Sequence, residues 1–572
     1  MRVAVIKESE CEAPDNCDYV CAAVCPRVRE GFTHTVYAKE NKKAAIDEDL
    51  CISCGICVKR CPFDAIRIIN LPDEMARELV FQYGQNAFRT FNIASPMEGK
   101  IIGLVGRNGI GKTTNVNLVS GDLVPNFGAF QNPPQKTEVL KRFRGKDIQP
   151  YLTRLYEGGV SVSKKPQDIV LSGRVSDIVT ENKYGLVRKE LMDRDAQTLS
   201  GGETQLVAIA RALDADSSVY ILDEPMNYLD IAHRIKIAEA VRTNLVGKTT
   251  VVVEHDLIML DYLTDFIQIL YGSDANYGIA SHLMVSRNGI NSYIKGYLPV
   301  ENVRFRDYEI KIRKTLGAGT SHEVVSWPDF ETEVGRFRLK TKAGKLFEGD
   351  IVGVIGENGI GKTTFMRSLV GLIDTNVGRL NLGIKIGYKP QFIQRFTALV
   401  GDVFSGIKPA YGDDRDFQDL INKMEVNKLL NKNVNSLSGG ELQKVAIITT
   451  LMSNADVFML DEPSANLDIE DRLNVMSVIS SFVSSKKKCA IVVDHDVMFL
   501  DSVCSKTILF RGEGGKSGFS DEIVETTEAI NNFLKRAGVT MRRDSETGRP
   551  RINQRGSRMD SEQKASGRFF SE

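Results

Sequence analysis

The 572-residue sequence predicts an α/β protein with two similar domains, preceded by a small cysteine-rich domain. A glycine-rich motif occurs twice, as GRNGIGKTT at 106–114 and GENGIGKTT at 356–364. Apolar runs such as IIGLVG (101–106) and CAIVVDHD (489–496) are typical of buried parallel strands, and helical patterns lie between them. Eight of the ten cysteines fall between Cys11 and Cys61. In a chain without an export signal, such clustering favours metal ligation over disulfide bonds.

Length and composition narrow the class of protein. The chain is too long for a single core and predicts several folding units. Lys plus Arg and Asp plus Glu both number 74, so any contact with nucleic acid must come from local patches. The opening MRVAVIK is too short for a signal peptide, and no stretch reaches the roughly 18 apolar residues of a membrane span. We therefore expect a cytoplasmic protein without membrane helices.

The core of the chain is duplicated. After each glycine-rich motif follow LSGGE (199–203 and 437–441), LDEP (222–225 and 460–463) and an acidic residue with HD (254–256 and 494–496). We predict these domains: cysteine-rich 1–75, first nucleotide-binding 76–275, hinge 276–311, second nucleotide-binding 312–530, and hinge or tail 531–572. The Gly- and Tyr-rich stretch 277–306 suggests the hinge. The polar, Arg-rich tail from Met541 onward leaves a disordered end open as an alternative.

Each glycine-rich motif fits G-x-x-x-x-G-K-[ST], the P-loop. Its glycines let backbone N–H groups converge on phosphates at a helix N-terminus, while the lysine reaches the β/γ-oxygens and the hydroxyl holds Mg²⁺. A single match is sometimes an ordinary glycine-rich turn, but two matches after predicted strands argue against that. The candidate ATP-binding residues are Gly106, Asn108, Gly109, Gly111, Lys112, Thr113, Thr114, Gly356, Asn358, Gly359, Gly361, Lys362, Thr363 and Thr364.

Acidic residues and a histidine follow two further strands of each repeat. Asp223 and Asp461 close an apolar strand, where a carboxylate can hold the magnesium shell. The adjacent Glu224 and Glu462 can polarise a water molecule against the γ-phosphate. The alternative is a solvated pair of acids at a strand end. In this order of motifs, we also assign His255 and His495 to the catalytic group as γ-phosphate contacts rather than as core histidines.

LSGGE opens a helical run and presents a hydroxyl and glycine amides to an anion, although a plain helix cap would look alike. Here the sequence resembles the ABC ATPase family, in which LSGGE of one cassette meets the ATP on the P-loop of the other. That resemblance implies that Ser438, Gly439 and Gly440 complete the first site and Ser200, Gly201 and Gly202 the second. Gln167 and Gln391 resemble the glutamine loop that contacts magnesium. Tyr83, Phe88 and Phe337 are candidates to stack on adenine, or are simply core aromatics.

The cysteines form two sets. Cys51, Cys54, Cys57 and Cys61-Pro62 fit C-x2-C-x2-C-x3-C-P, the pattern of two-cluster ferredoxins, in which the fourth cysteine ligates the other cluster. Cys11, Cys17, Cys21 and Cys25-Pro26 form a looser set. We therefore assign one [4Fe-4S] cluster to Cys25, Cys51, Cys54 and Cys57, and the other to Cys11, Cys17, Cys21 and Cys61. Zinc is the alternative, although structural zinc usually takes paired C-x2-C knuckles.

A ferredoxin-like domain joined to two cassettes resembles the E subfamily of ABC ATPases, the ribosome-recycling or RNase L inhibitor family. The resemblance includes NLPDE (70–74), NGINSYIKGYLPVENVRFRD (288–307) and RPRIN with EQKASG (549–567). It implies that ATP-driven closure splits ribosomes into subunits and that hydrolysis resets the factor. The implied partners are the small ribosomal subunit, a release or rescue factor of the Pelota or class-one type, and initiation factors, without a membrane.

One segment, 138–158, resembles the helix-loop-helix insertion that family members lay on the ribosome. Its Lys141, Arg142, Arg144 and Lys146 suit rRNA phosphates. A solvated helical face is the alternative.

The sequence departs from the family pattern at two places. Five residues separate Cys11 from Cys17 where four are common, and Met226 replaces the usual serine that the second cassette keeps as Ser464. Two other functions stay open at this point. One is an ATP-binding subunit of a membrane transporter, and the other is an electron-transfer enzyme, against which stands the lack of a flavin or substrate signature.

Overall fold

A computed structural model describes residues 2–48, 50–70, 79–310 and 322–571. Most of the NLPDE segment and the predicted domain boundaries at 75 and 311 lie outside these ranges. Contacts divide the chain into two compact units. Unit 1 comprises Met1–Pro225, Arg242–His255 and Thr264–Tyr308, and unit 2 comprises Met226–Val241, Asp256–Leu263 and Glu309–Glu572. Two segments from the first half of the sequence thus belong to unit 2.

The cysteine-rich domain is a small α+β structure within unit 1. Its strands are β1 (Arg2–Ile6), β2 (Val36–Ala38), β3 (Ala44–Ile46) and β4 (Ile66–Asn70), and its helices are Val20–Ala23, Pro26–Arg29 and Ile56–Arg60. β1 pairs antiparallel with β4, and β2 with β3. Small apolar side chains such as Ala4, Ala44 and Ala65 form the core together with the buried cysteines. This core is thin, so the cysteines make up much of the interior.

The first cassette contains a large, mainly parallel sheet in unit 1. Its strands are β5 (Leu79–Gln82), β6 (Arg89–Phe91), β7 (Ile101–Val105), β8 (Val162–Lys165), β9 (Val219–Asp223), β10 (Thr249–Val253), β11 (Phe266–Ser273), β12 (Tyr277–Ala280) and β13 (Met284–Val285). The order is β5-β6-β12-β11-β7-β10-β9-β8, with β13 on β11. Every residue of β7, β9 and β10 is buried, as expected for parallel strands covered on both faces.

The helices between residues 79 and 300 alternate with these strands, as the sequence pattern predicts. They are Lys112–Ser120, Lys136–Arg142, Gln149–Tyr156, Val175–Ile178, Gly201–Asp214, Ile231–Asn244, Leu257–Leu263 and Ser286–Lys295. Lys136–Arg142 and Gln149–Tyr156 flank a short basic loop in the segment that resembles the ribosome-contacting insertion. One expectation is wrong: Tyr277–Ala280, assigned to the hinge, is a strand that pairs with β6 and β11.

The second cassette repeats this topology in unit 2. After the hairpin of β14 (Tyr297–Leu298) and β15 (Val303–Arg304) in unit 1 come β16 (Glu323–Trp327), β17 (Phe330–Val334), β18 (Phe337–Thr341), β19 (Gly344–Phe347), β20 (Ile351–Ile355), β21 (Ile386–Lys389), β22 (Val457–Asp461), β23 (Cys489–Val493), β24 (Lys506–Glu513) and β25 (Ser517–Glu525). The order β17-β18-β25-β24-β20-β23-β22-β21 matches that of the first sheet strand for strand. The fold class is the predicted one.

The helices of the second cassette are Lys362–Leu369, Val400–Ile407, Arg415–Lys423, Gly439–Leu451, Ile469–Lys486, Val497–Val503 and Thr526–Ala537. Short 3-10 helices along the chain are Glu8–Glu10, Thr33–Thr35, Lys189–Leu191, Ala196–Thr198, Tyr411–Asp413, Asn427–Leu429 and Val434–Ser436. Within the described ranges, no helix is both long and apolar enough to cross a membrane.

The arginine-rich tail is folded, so the alternative of a disordered end is wrong. It forms β26 (Met541–Arg543), β27 (Pro550–Ile552), the helix Arg558–Ser566 and β28 (Phe570–Ser571). The fully buried Arg549 donates to the Asp261 carboxylate at 2.9 Å, and Arg551 also contacts Asp261. Arg543 makes two bonds to Asp501, of 2.8 and 2.9 Å. In the tail, buried ion pairs therefore lie beside buried apolar side chains such as Met541 and Phe570.

We predict that Arg549→Ala lowers the free energy of unfolding of unit 2 by about 3 kcal/mol, because breaking a buried ion pair leaves a charge without compensation. This is the low end of the range, since Arg551 still contacts Asp261. Urea unfolding followed by fluorescence measures the change. The matched control is Arg558→Ala, whose partner Glu562 is also exposed and which should cost at most about 1 kcal/mol. Equal losses in both variants would contradict the prediction.

Candidate functional site

The two P-loops have nearly the same geometry. Lys112 Nζ donates to the carbonyls of Gly106 and Arg107, both at 2.9 Å, and Lys362 Nζ donates to those of Gly356 and Glu357 at 2.9 and 2.5 Å. The helices that follow begin at these lysines. Backbone N–H groups at a helix N-terminus and a nearby ammonium group form an anion site. Each loop can therefore hold the phosphates of a nucleotide.

An aromatic ring lies on each P-loop. A Cβ atom built on Gly111 would stand 2.5 Å from the Phe88 ring, and one on Gly361 would stand 2.8 Å from the Phe337 ring. The φ angles of the two glycines are +93° and +94°, in the left-handed region that side chains avoid. The loop and the ring can pack this closely only because glycine stands there. Phe88 and Phe337 are thus equivalent in the two cassettes.

Tyr83 lies near the first P-loop as well. Its hydroxyl is 3.3 Å from that of Thr114, and half of the side chain is exposed. The sequence predicted all three rings as adenine contacts, and the structure places each of them beside a P-loop.

In each unit, a glutamate, a glutamine and a histidine converge. Gln167 Nε2 donates to Glu224 Oε1 at 3.0 Å, and His255 Nε2 lies 3.3 Å from the same oxygen. The second cassette repeats this arrangement: Glu462 Oε1 is 2.7 Å from Gln391 Nε2 and 3.3 Å from His495 Nε2. The residues come from the ends of adjacent parallel strands, which bring distant motifs to one edge of the sheet. Sequence spacing alone does not give these distances.

Burial changes the acidity of the carboxyl groups. Burial, together with the charge of the neighbouring glutamate, raises the pKa of both Asp223 and Asp461 to about 6. Burial would also raise the pKa of Glu462, but the interactions with His495, Gln391 and Lys362 together outweigh it and hold the pKa at about 2. In the second cassette Glu462 is therefore more acidic than Asp461 and stays ionised at neutral pH.

The signature motifs open the helices Gly201–Asp214 and Gly439–Leu451. Ser200 and Ser438 cap them, and each shares a capping box with the glutamate three residues later. The Ser438 hydroxyl accepts the N–H of Glu441 at 3.2 Å, while the Glu441 carboxylate accepts the N–H of Ser438 at 2.8 Å. The interpretation of LSGGE as a helix cap is thus correct for the local structure, and it is compatible with anion binding. The pairing of each LSGGE motif with the P-loop of the other cassette stays a prediction.

The two cassettes differ behind the LDEP motif. Ser464 donates its hydroxyl to Asp494 Oδ1 at 2.7 Å and its N–H to Oδ2 at 3.1 Å. In the first cassette Met226 is buried at the serine position. Glu254 stands in place of Asp494, and its longer side chain accepts the N–H of His255 at 2.7 Å. The first cassette therefore differs from the second at both members of this pair, with Met226 in place of Ser464 and Glu254 in place of Asp494.

Unit 2 also contains a contact that the sequence did not predict. Asp230, in the NYLD sequence after LDEP, accepts the N–H of Asn358 in the second P-loop at 2.8 Å. Asn358 Nδ2 donates in return to the Tyr228 carbonyl at 3.1 Å. His233 donates its N–H to the other oxygen of Asp230 at 2.9 Å. The segment Met226–Val241 is thereby bonded directly to the second P-loop.

The cysteines line two hollows in the cysteine-rich domain. One is lined by Cys11, Cys17, Cys21 and Cys61, and the other by Cys25, Cys51, Cys54 and Cys57. These are the two predicted sets, including the exchange of the fourth cysteine. Cys11 lines its hollow despite the longer spacing to Cys17. Burial, reinforced by the other cysteines of each set, raises the pKa of Cys21 to about 12 and that of Cys57 to about 11.

The cysteine-rich domain docks on the loop that carries Phe88. Glu48 accepts bonds from Arg89 at 2.5 Å and Asn86 at 3.1 Å, and Asn86 accepts the N–H of Ile46 at 2.5 Å. Both Asn86 and Arg89 are buried. No sequence signal marks this interface. It links the cysteine-rich domain to the segment of unit 1 that holds the candidate adenine contacts.

The fold and the repeated site define an ATPase of the ABC class that carries an iron-sulfur domain. The family model described as "ABC transporter" matches residues 94–227 and 339–465, and that described as "4Fe-4S binding domain" matches 44–67. An ABC transporter ATP-binding protein of Methanocaldococcus jannaschii is 40% identical over all of this chain and 97% of its own length. Translation initiation factor RLI1 of Saccharomyces cerevisiae is 35% identical over 100% of this chain and 98% of its own length.

Among solved structures, the chain is similar to one titled "Model of ribosome-bound archaeal Pelota and ABCE1". The TM-score is 0.91 at 39% identity, and the match covers 100% of this chain and 99% of that one. The chain belongs to the E family of ABC ATPases, the ABCE1/RLI1 family. The resemblance inferred from the motifs is thereby confirmed.

We predict that Gly361→Ala weakens ATP binding at the second site at least about tenfold, because the new methyl group collides with Phe337 and displaces the loop. Isothermal titration should then report one tight site in place of two. Gly378→Ala is the control, since its φ of +84° carries the same backbone strain but no atom lies within 4 Å of the added Cβ. Two tight sites in the Gly361 variant would show that the ring does not fix the loop.

Proposed function

We propose that this chain is an ATP-driven ribosome-recycling factor. The observation that carries the proposal is the combination, in one chain, of two P-loop sites and two four-cysteine hollows. Similarity extends over the full length to proteins with the same combination, and one solved relative is titled an archaeal ribosome recycling factor in complex with ribosomal stalk protein. In this proposal ATP closes the two cassettes, closure splits the ribosome into subunits, and hydrolysis resets the factor on the small subunit.

The hydrolytic roles follow from the site geometry. Glu224 and Glu462 are each oriented by a glutamine and a histidine and are suited to polarise the attacking water. Asp461 is fully buried, and both of its carboxylate oxygens are shielded from water. A buried carboxylate requires a cation partner, and Mg²⁺ prefers such oxygen ligands. Asp223 and Asp461, with Thr113, Thr363, Gln167 and Gln391, would hold it.

Two [4Fe-4S] clusters fit the hollows better than zinc does. Among the described residues, no group of three or more His, Cys, Asp or Glu side chains converges tightly enough for a single metal ion. Each set of four cysteines instead lines a hollow of its own, and Ser53 donates its N–H to Cys51 Sγ at 3.4 Å. Thiolate ligands and N–H donors to sulfur are features of iron-sulfur sites. The clusters would cross-link segments that have little apolar core of their own.

The ribosome is the partner that fits the basic insertion. Lys141, Arg142, Arg144 and Lys146 are all exposed around the loop between the two helices. The Arg142 guanidinium lies 4.5 Å from the Phe127 ring, which orients it without neutralising it. Such cations add salt-dependent affinity for rRNA phosphates. We further propose a cytoplasmic location, with a Pelota-type or class-one release factor and initiation factors as partners.

A splitting assay tests this function. Ribosomes with a bound Pelota-type factor should separate into subunits when the protein and ATP or a nonhydrolysable analogue are added, but not with ADP. Sucrose gradients should show the protein on the small subunit. Glu462→Gln should still permit splitting but dissociate from that subunit slowly, since hydrolysis no longer resets it. Intact ribosomes under all conditions, or sedimentation with membranes, would favour the alternative of a transporter subunit.

Iron analysis tests the number of clusters. Protein purified without oxygen should contain about eight iron atoms, four for each cluster. Cys21→Ser and Cys57→Ser should each remove about half of this iron, because the two residues line different hollows. Cys489→Ser, in the second cassette, should leave the iron content unchanged. Stoichiometric zinc in place of iron would contradict the assignment.

A further inference from the structure

Each cassette buries a lysine that none of the roles above uses. Lys165 and Lys389 stand two residues before the glutamine in KKPQ and YKPQ, at the ends of β8 and β21. Both side chains are almost completely inaccessible, with exposed fractions of 0% and 1%. A buried ammonium group needs hydrogen-bond acceptors on its N–H groups. The identity of those acceptors points to a role.

In both cassettes the acceptors are the same two backbone carbonyls. Lys165 Nζ donates to the carbonyls of Asp223 and Glu224 at 2.7 and 3.0 Å. Lys389 Nζ donates to those of Asp461 and Glu462 at 2.6 and 3.0 Å. These carbonyls belong to the peptide groups on either side of the glutamate α-carbon. The ammonium group therefore fixes the backbone at the glutamate that faces the nucleotide site.

That backbone is strained. Glu224 and Glu462 have φ angles of +48° and +49°, in the left-handed region, and each precedes a proline. A residue with a side chain keeps this conformation only when its surroundings enforce it. The glutamate N–H groups donate to the carbonyls of Val253 and Val493 at 2.9 and 2.8 Å. The lysine holds the opposite side of the residue.

Charge around the lysines is consistent with this role. The carboxylates that interact with Lys165 include Glu254, Asp223 and Glu224, and those that interact with Lys389 are Asp461, Glu462 and Asp494. A neutral side chain of similar size would remove the ammonium donor shared by the two carbonyls and take a cation from a group of buried acids, although Gln443 Nε2 would still donate to the Glu462 carbonyl at 2.7 Å. Without the hydrogen bonds from the lysine, the glutamate backbone would shift and its carboxylate would point in a different direction.

We propose that Lys165 and Lys389 are positioning residues for ATP hydrolysis. Each ammonium group holds the left-handed glutamate so that its carboxylate points toward the attacking water. This inference rests on the proposed catalytic role of Glu224 and Glu462. It adds a residue that acts through the glutamate without touching the nucleotide.

The test compares Lys165→Met with Lys389→Met, singly and together, by ATP turnover and by binding of a fluorescent ATP analogue. In the double variant, kcat should fall roughly ten- to a hundredfold, the usual effect of misplacing one catalytic group, while the Kd for the analogue changes less than about threefold. Lys385→Met is the matched control, because Lys385 is an exposed residue just before β21, and it should leave both quantities unchanged. Unchanged kcat in the double variant overturns the proposal.

Chemical rescue separates positioning from a loss of folding. In the double variant Lys165→Ala with Lys389→Ala, propylammonium replaces the missing part of each side chain and should restore turnover at least about fivefold, whereas the same concentration of sodium chloride should not. Equal recovery with both salts, or none with either, overturns the proposal. The double variant Glu224→Gln with Glu462→Gln separates the catalytic role of the glutamates from the positioning role of the lysines. Full turnover in that variant refutes the catalytic glutamates themselves, whereas its loss together with full turnover in the lysine variants refutes only the positioning role.

Discussion

The buried carboxyl groups at the ends of β9 and β22 must be stabilised by surrounding groups, and several motifs of each cassette supply those groups. Ionised groups in an interior are stable only with hydrogen bonds or opposite charges around them. The glutamine loop, the histidine after the next strand and the buried lysine each supply one of these at Glu224 and again at Glu462. The parallel sheet makes this possible because its strands end side by side.

Duplication does not make the two cassettes equal. The strand order, the lysine contacts and the left-handed glutamates agree closely. The acid behind LDEP does not, since Ser464 binds Asp494 whereas Glu254 bonds back to the backbone of its neighbour. The cysteine-rich domain contacts the loop of Phe88, and no such domain precedes Phe337 in the sequence. The two cassettes therefore share a core of contacts around the glutamate and differ outside it.

The cysteine-rich domain and the tail both bury side chains that are stable only with specific partners. In both, polar or cysteine side chains take up part of the interior beside the apolar ones. The domain places cysteines around two hollows, and the tail buries Arg549 against Asp261. Both devices demand specific partners, because a buried thiolate or guanidinium without one is costly. Such dependence explains how segments that look polar in sequence are nevertheless ordered.

The sequence by itself determined the duplicated α/β class, the P-loops, the acids at the strand ends and the two cysteine sets, because these depend on local spacing and on periods of burial. It missed the strand Tyr277–Ala280, whose glycine and tyrosine resemble a linker until β6 and β11 flank them. It also left the fold of the tail open, since Arg549 has its partner Asp261 almost 300 residues away. Lys165 and Lys389 could have been noticed from the repeated KPQ, but their role could not.

Only the tertiary structure decided which groups meet. The distance from Lys389 to the Glu462 carbonyl, the contact of Glu48 with Arg89 and the bond from Asp230 to Asn358 join residues far apart in the chain. Hydrogen bonds and ion pairs depend on atoms within about 3 Å of each other, and sequence spacing does not encode that distance once the chain has turned back on itself. The sequence supplies the chemical groups, and the fold decides their partners.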